Sequence, residues 1–173
     1  MDVRGGSRDA VGMELRGFEV GQAAMVAGWA TSAQEVSLLS GRTAFPFPAE
    51  LVGSWPKVAD DVRSYLYYVG GEPVGYGELW LDDDEDEVEL ARIIVRPGSR
   101  GLGIGTAFVK ALLGPALDAG YSEVFIRVRP DNDVAIRTYR RVGFEYVAAD
   151  LADEWNKDQP VAYTWMQYPT SAV

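Results

Sequence analysis

Between Val88 and Ala119 the chain runs from an apolar stretch, Val88 to Val95, into a helix-forming stretch. The passage between them is Arg96-Pro97-Gly98-Ser99-Arg100-Gly101-Leu102-Gly103-Ile104-Gly105-Thr106. Pro97 ends the strand, because its ring removes the ladder N–H. The glycines take side chains away from the turn, so backbone N–H groups can approach a ligand closely. The first turn of the helix adds unpaired N–H groups and the positive end of its dipole to the same space. Arg100 contributes a cation. Chemically this is a cradle for a pyrophosphate, carried on a strand–loop–helix unit. A turn that merely favours glycine is the plainer alternative, but three alternating glycines behind an arginine exceed what a turn needs.

The flanking sequence fits a sheet with helices packed on it. Leu15-Arg16-Gly17-Phe18 is a short strand candidate. Met25, Trp29, Val36 and Leu39 mark an amphipathic helical region that Gly41 stops. A second helix is expected from Pro48 to Arg63. Tyr65–Val69 and Val74–Leu81 form a hairpin about Gly70-Gly71-Glu72-Pro73. The acidic run Asp82–Glu87 is an exposed loop, since adjacent carboxylates repel. After Val88–Val95 come a helix to Ala119, a strand Glu123–Arg129, a helix Asn132–Val142, and strands at Glu145–Ala148 and Val161–Gln167. Pro115, after Gly114, should kink or end its helix. The alternation is that of a single α+β sheet domain at 14–168, with flexible tails at 1–13 and 169–173.

The chain has 173 residues, no Cys and no His. This excludes Ser-His and Cys-His triads, thiolate nucleophiles and Cys-based metal sites; acid–base work falls to Asp, Glu, Tyr, Lys, an amine or water. A net charge of −10 argues against nucleic acid, whose phosphates want a basic face, and leans towards a cationic small molecule or a basic peptide. No apolar run approaches the ~20 residues of a membrane span, and no secretory leader is evident, so no membrane partner is expected and the expected compartment is the cytoplasm.

A Walker loop would need Gly-Lys followed by Ser or Thr, and a dinucleotide fingerprint counted from Gly101 would need glycine where Thr106 stands. The Arg-Gly-x-Gly-x-Gly loop of acetyl-CoA enzymes fits Arg100–Gly105 residue for residue. With Ile93-Ile94-Val95-Arg96-Pro97 before it, and Asn132-x-x-Ala135-x-x-x-Tyr139-x-x-x-Gly143-Phe144 after it, the chain resembles the GNAT superfamily of N-acetyltransferases. Gly71–Tyr76 also resembles the hairpin of aminoglycoside 6′-N-acetyltransferases. The resemblance implies a GNAT-like α+β fold with a mixed, mostly antiparallel central sheet flanked by helices. It implies acetyl-CoA as cofactor, held by Ile93, Ile94, Val95, Arg100, Gly101, Leu102, Gly103, Ile104, Gly105, Thr106, Asn132 and Tyr139. Ile93 and Val95 would act through main-chain groups.

Tyr139 is the expected proton donor to the departing thiolate, since a phenol near pKa 10 is matched to an alkyl thiol. It stands seven residues after Asn132, about two helical turns, so both fall on one face. Glu89 is the first candidate for the base. It is expected to share a sheet face with Ala91, Ile93 and Val95. Glu78, flanked by Tyr76 and Trp80, is the second candidate. Arg92 is expected on the opposite face without a catalytic task, and Tyr121 as packing at a helix end. Trp29, Phe45, Phe47, Trp55, Tyr65, Tyr67, Tyr68, Trp80 and Trp155 supply an aromatic framework. With Glu50, Asp82–Glu87, Asp153 and Glu154 it describes a cleft suited to an amine.

Three functions remain open at this point. One is transfer of an acetyl group to the primary amine of a small or peptide-like acceptor, by direct attack in a ternary complex. Another is N-acetylation of a protein or peptide. The third is a non-catalytic acetyl-CoA-binding module. A homodimer is compatible with each.

Overall fold

The computed structural model describes residues 12–57 and 60–170; residues 1–11 of the tail expected at 1–13, and 171–173 of the C-terminal tail, lie outside the described residues. The chain begins with β1 (Met13–Gly17), followed by three short helices, α1 (Ala23–Ala27), α2 (Ala33–Ser40) and α3 (Ala49–Ser54). Three long strands follow, β2 (Val62–Val69), β3 (Glu72–Asp82) and β4 (Glu87–Val95). Then come α4 (Ile104–Asp118), β5 (Glu123–Val128), α5 (Asp133–Val142), β6 (Glu145–Tyr146), α6 (Ala149–Asn156) and β7 (Thr164–Tyr168). The strands form one sheet in the order β1-β2-β3-β4-β5-β7-β6. All neighbours are antiparallel except β4 and β5, which run parallel. The fold is the expected α+β, with helices on both faces.

Alternation along the strands builds a core on each face. Leu79, Leu81, Val88, Leu90, Ile126 and Met166 pack with Phe108 and Leu112 of α4. Leu66, Tyr76 and Ile94 face the other way, onto Val26, Trp29, Val36, Val52 and Trp55 of the α1–α3 arm. Local chemistry sets the helix ends. Ser32 Oγ accepts the Glu35 N–H at 3.1 Å to cap α2, and Gly41 closes it at φ +71°.

Two irregularities in β4 position the site. The ladder passes from Tyr76↔Ile94 to Glu78↔Ala91, so two residues, Arg92 and Ile93, oppose Gly77. This is a β-bulge, with Arg92 at φ +48°. The extra residue reverses the alternation. Glu89 and Ala91 therefore face the α1–α3 arm, whereas Ile93 and Val95 pack towards α4. The expected common face for these four residues is corrected, and Arg92 lies on the face of Glu78 and Trp80, not opposite it. The second irregularity is a parting. β4 and β5 pair over Glu87–Glu89 and Glu123–Phe125, and among the described residues no ladder pair continues beyond.

Several boundaries differ from expectation for physical reasons. Gly28 to Thr31 divide the first helical region before the Ser32 cap. The helix expected over 48–63 is α3 plus a 3₁₀ turn at Trp55–Lys57, and the strand already starts at Val62. Pro115 does not end α4, which runs on to Asp118. α6 lies between the two closing strands, where no element was expected. β1 starts at Met13, inside the stretch expected to be tail. The acidic run contributes Asp82 and Glu87 to the ladder, and Tyr121 donates its hydroxyl to Asp83 across that turn. No helix among the described residues is long and apolar enough to cross a membrane.

Gly75 lets α4 lie close to the sheet. A Cβ there would stand 2.8 Å from Phe108 Cδ1, on a ring stacked against Tyr67 at 5.2 Å. Gly75→Ala is expected to lower stability by about 1–3 kcal/mol through overpacking. Gly17→Ala, with nothing within 4 Å, should cost far less. Urea midpoints of the two variants check this, and equal midpoints would refute the close-packing argument.

Candidate active site

In the loop between β4 and α4, Gly101 and Gly103 both sit at φ +77°, where any side chain is strained, and a Cβ on either would meet nothing within 4 Å. Ala107 N–H is the first donor to close a helical bond, to Gly103 O at 3.2 Å. The N–H groups of Ile104, Gly105 and Thr106 precede it and are open to an anion. Leu102 projects into solvent at 72% exposure. These features fit a pyrophosphate. Arg100 is fixed, but inwards: Nε donates to Val95 O at 2.9 Å, Nη2 to Trp29 O at 3.0 Å, and Nη1 to Glu35. Burial pushes the Glu35 carboxyl up, yet bonds from Thr31 and Arg100 outweigh it and leave the carboxyl below its ordinary value. The Val95 carbonyl, one of the expected ligand-facing main-chain groups, is thus already engaged.

The parting of β4 from β5 opens a cleft of about 320 Å³. Leu90–Ile93 line one side and Ile126–Arg129 the other, with Asn132 and Tyr139 from α5 and Ser37–Gly41 from the end of α2. Asn132 caps α5, its Oδ1 accepting Ala135 N–H at 3.3 Å, so its Nδ2 end is the part available to a ligand. Tyr139 is buried, its ring edge-on to Phe144 at 6.1 Å. Among the described residues its hydroxyl has no hydrogen-bond partner, and burial pushes the phenol pKa well above its usual value.

A second cavity of about 350 Å³ adjoins the cleft on the arm side. Trp55, Trp80 and Phe125 form apolar walls, and Asp61, Asp82, Glu87 and Glu89 supply carboxylates. Glu50, Asp153 and Glu154 do not line it. Trp80, Glu89 and Arg92 border both spaces.

Glu89 therefore stands where the two spaces meet. It is 8% exposed, and Arg127 Nε holds its Oε1 at 2.8 Å. Burial pushes the carboxyl up to about 7; Arg127 pulls against this and Glu87 adds to it. Arg127 is braced by Gln159 at 2.9 Å and lies over the rings of Trp80, Tyr163 and Trp165. Glu78 has a different setting. It is 0% exposed and lines neither space. It accepts from Tyr76 Oη at 3.1 Å, Trp80 Nε1 at 3.3 Å and Arg92 Nη1 at 3.2 Å. Burial raises its pKa against these donors. Sequence reasoning passed over Arg127 and gave Arg92 no task. The available signal was a charge inside an apolar strand, Val-Phe-Ile-Arg-Val and Leu-Ala-Arg-Ile-Ile.

Residues 33–144 match the model of the acetyltransferase (GNAT) family. An uncharacterised N-acetyltransferase of Methanocaldococcus jannaschii is 33% identical over 96 residues, 53% of this chain and 42% of that protein. The chain spans under half the length of the first curated relatives it matches. Among solved structures, AAC(6′)-Ib in complex with paromomycin and acetyl-CoA superposes with a TM-score of 0.72 at 22% identity, covering 90% of this chain and 92% of that one. Spermidine N-acetyltransferase from Vibrio cholerae, with CoA and spermine, gives 0.67 at 17% identity, covering 79% and 82%. At these identities both likenesses bear on the fold.

The setting of Glu89 has a consequence for stability. Folded, it keeps its proton up to about pH 7; unfolded, it releases it near 4.5. Its contribution is fully present below about 4.5 and is lost as pH rises through about 7. Glu89→Gln carries no such titration. The stability difference, Gln minus Glu, is expected to move in favour of Gln between pH 5 and pH 8 in thermal unfolding, and a difference flat across that window would refute the buried setting.

Proposed function

The chain belongs to the acetyltransferase (GNAT) family, and on that footing we propose that it is an N-acetyltransferase that carries the acetyl group of acetyl-CoA to the primary amine of a small or peptide-like acceptor. The observation that carries this reading is the position of Glu89 on the border of the cleft and the acidic, aromatic cavity. Acetyl-CoA would supply the activated acetyl thioester. The N–H groups of Ile104, Gly105 and Thr106 and the bare turn at Gly101 and Gly103 suit its pyrophosphate. The parted edge of β4, with Asn132 Nδ2 and Tyr139 across from it, suits the pantetheine arm. The acceptor enters the second cavity, where carboxylates favour a cation and Trp55, Trp80 and Phe125 shed water from its carbon skeleton. The cytoplasm is the compartment this reading implies.

Glu89 takes the proton from the acceptor ammonium. Against an ammonium near pKa 10, a carboxyl at about 7 leaves roughly 3 units, about 4 kcal/mol, to overcome; an ordinary glutamate near 4.3 would face nearly twice that. Burial keeps Tyr139 protonated but lifts its phenol above the expected match to an alkyl thiol, so its hydroxyl serves by donating a hydrogen bond to the leaving sulfur inside the cleft. Direct attack is favoured over a covalent acyl-enzyme. Cys is absent from the chain, and the cleft hydroxyls of Ser37 and Ser40 are engaged with Arg129 and Val36 O.

A panel of small amines, polyamines, aminoglycosides and basic peptides, read by thiol release, tests the reading. Acetyl-CoA binding without thiol release from any of them would leave a binding module instead. With a working acceptor, kcat/KM should fall below about pH 7 as Glu89 takes up its proton. In Glu89→Gln that limb should vanish, with the deficit shrinking at high pH where free amine is abundant. A limb that persists in the variant refutes Glu89 as base. Tyr139→Phe keeps the ring against Phe144 and removes only the hydroxyl. It is expected to lower kcat by about 10²–10⁴-fold with KM for acetyl-CoA nearly unchanged. Activity within about twofold of wild type, with chemistry rate-limiting, would show that Tyr139 only packs.

A further inference from the structure

The pair of buried Glu78 and half-buried Arg92 takes no part in the chemistry above, yet it is held by several neighbours. Arg92 lies at φ +48° within a strand, a conformation that a non-glycine residue holds only where its surroundings enforce it. Here the guanidinium has three neighbours. Its Nη1 meets both Glu78 oxygens at 3.3 and 3.2 Å, and its Cζ lies over the ring of Trp55 at 4.4 Å and over that of Trp80 at 5.0 Å. Glu78 is 0% exposed and is itself held by Tyr76 and Trp80. We propose that Arg92 and Glu78 are positioning residues for acetyl transfer: pinned together against the two tryptophans, they hold the bulge that turns Glu89 towards the acceptor cavity.

The reason lies in strand parity. With the bulge, Ala91 and Glu89 face the arm while Ile93 and Val95 face α4. If Arg92 relaxes to ordinary extended geometry, two residues no longer oppose Gly77, and one half of β4 must change faces or slip in register. Glu89 and the cleft edge at Leu90–Ile93 then cannot both keep their places. Trp55, just after α3, extends the same pin to the arm, so the acceptor wall and the strand that carries Glu89 are held by one guanidinium. The role of Glu89 rests on the proposed transfer reaction; the pin itself does not.

Glu78→Gln keeps the shape and removes the charge, Arg92→Gly permits the positive φ but removes the pin, and Arg92→Lys keeps a cation for Glu78. Each variant is followed by amide hydrogen exchange over 88–95 and by kcat and KM against pH, with an amine that the wild type acetylates. Glu78→Gln and Arg92→Gly are expected to speed exchange at the 91–95 amides by about tenfold or more while β7 keeps its protection. Their kcat should fall on the order of 10²-fold, as for a misplaced reacting group, with the Glu89 limb displaced rather than abolished. Arg92→Lys should recover part of both. Unchanged exchange, with a loss confined to low pH and the limb abolished in Glu78→Gln, would make Glu78 the base and overturn the proposal. Unchanged exchange and unchanged kcat would overturn it as well. If the wild type acetylates no amine, exchange alone decides the pin, and only the transfer reading fails.

Discussion

The parting of β4 from β5 after the Glu89–Phe125 pair is the constraint on which the rest of the molecule depends. A parallel pair normally continues until one strand ends, because unpaired backbone groups need other partners. Here β4 continues to Val95 and β5 to Val128, and between them lies the cleft. A sheet that would otherwise be a closed scaffold thereby gains an edge in its middle. The bulge at Arg92 serves the same end, since it turns the far half of β4 before the strand reaches the glycine loop.

Two glutamates of the same type have been given opposite tasks by their surroundings. Glu78 meets a phenol, an indole and a guanidinium, and faces neither cavity. Its charge is spent inside the protein, and its donors leave little room for a substrate proton. Glu89 is almost as buried, but it has one close partner, Arg127, and opens to two spaces. Burial raises its proton affinity while Arg127 limits the rise, which leaves a carboxyl near neutrality where the proposed transfer needs a base. Trp80 stands between the two glutamates, touching Glu78 with its indole N–H and both Arg92 and Arg127 with its face.

What the sequence disclosed and what it concealed divide along a physical line. The glycine turn, the helix beginning at Asn132 and the Tyr139 position were legible because each is local: positive φ wants glycine, and helical spacing places a residue on a face. The reversal of faces at Arg92 was not, because arginine is no signal for positive φ; its cause lies across the sheet in Glu78 and in Trp55. The same holds for Arg127, whose partner Glu89 is 38 positions earlier in the chain. Helix boundaries failed where tertiary demands overrode pattern. β2 claimed Val62 and Arg63 from the expected second helix, and α4 absorbed Pro115 within its final turns.

On the proposed function, acceptor selectivity resides in the arm. The cleft between β4 and β5 is lined by the sheet, α5 and the end of α2, whereas Trp55 and Asp61 come from the segment between α3 and β2. Among the contacts that fasten that arm to the sheet are two made by arginines of β4 and the loop after it. Arg100, in the glycine loop, holds Trp29 O and Glu35 of α2; Arg92, in the bulge, lies over Trp55. Nothing in either contact specifies which amine lies against the arm, yet both fix where the arm stands relative to Glu89. The cleft and the wall at Trp55 and Asp61 are thus separable in sequence and coupled in space. If the second cavity takes the acceptor as proposed, changes at Trp55, Asp61 or Val62 retune it without disturbing the loop, so long as the two arginines keep their partners.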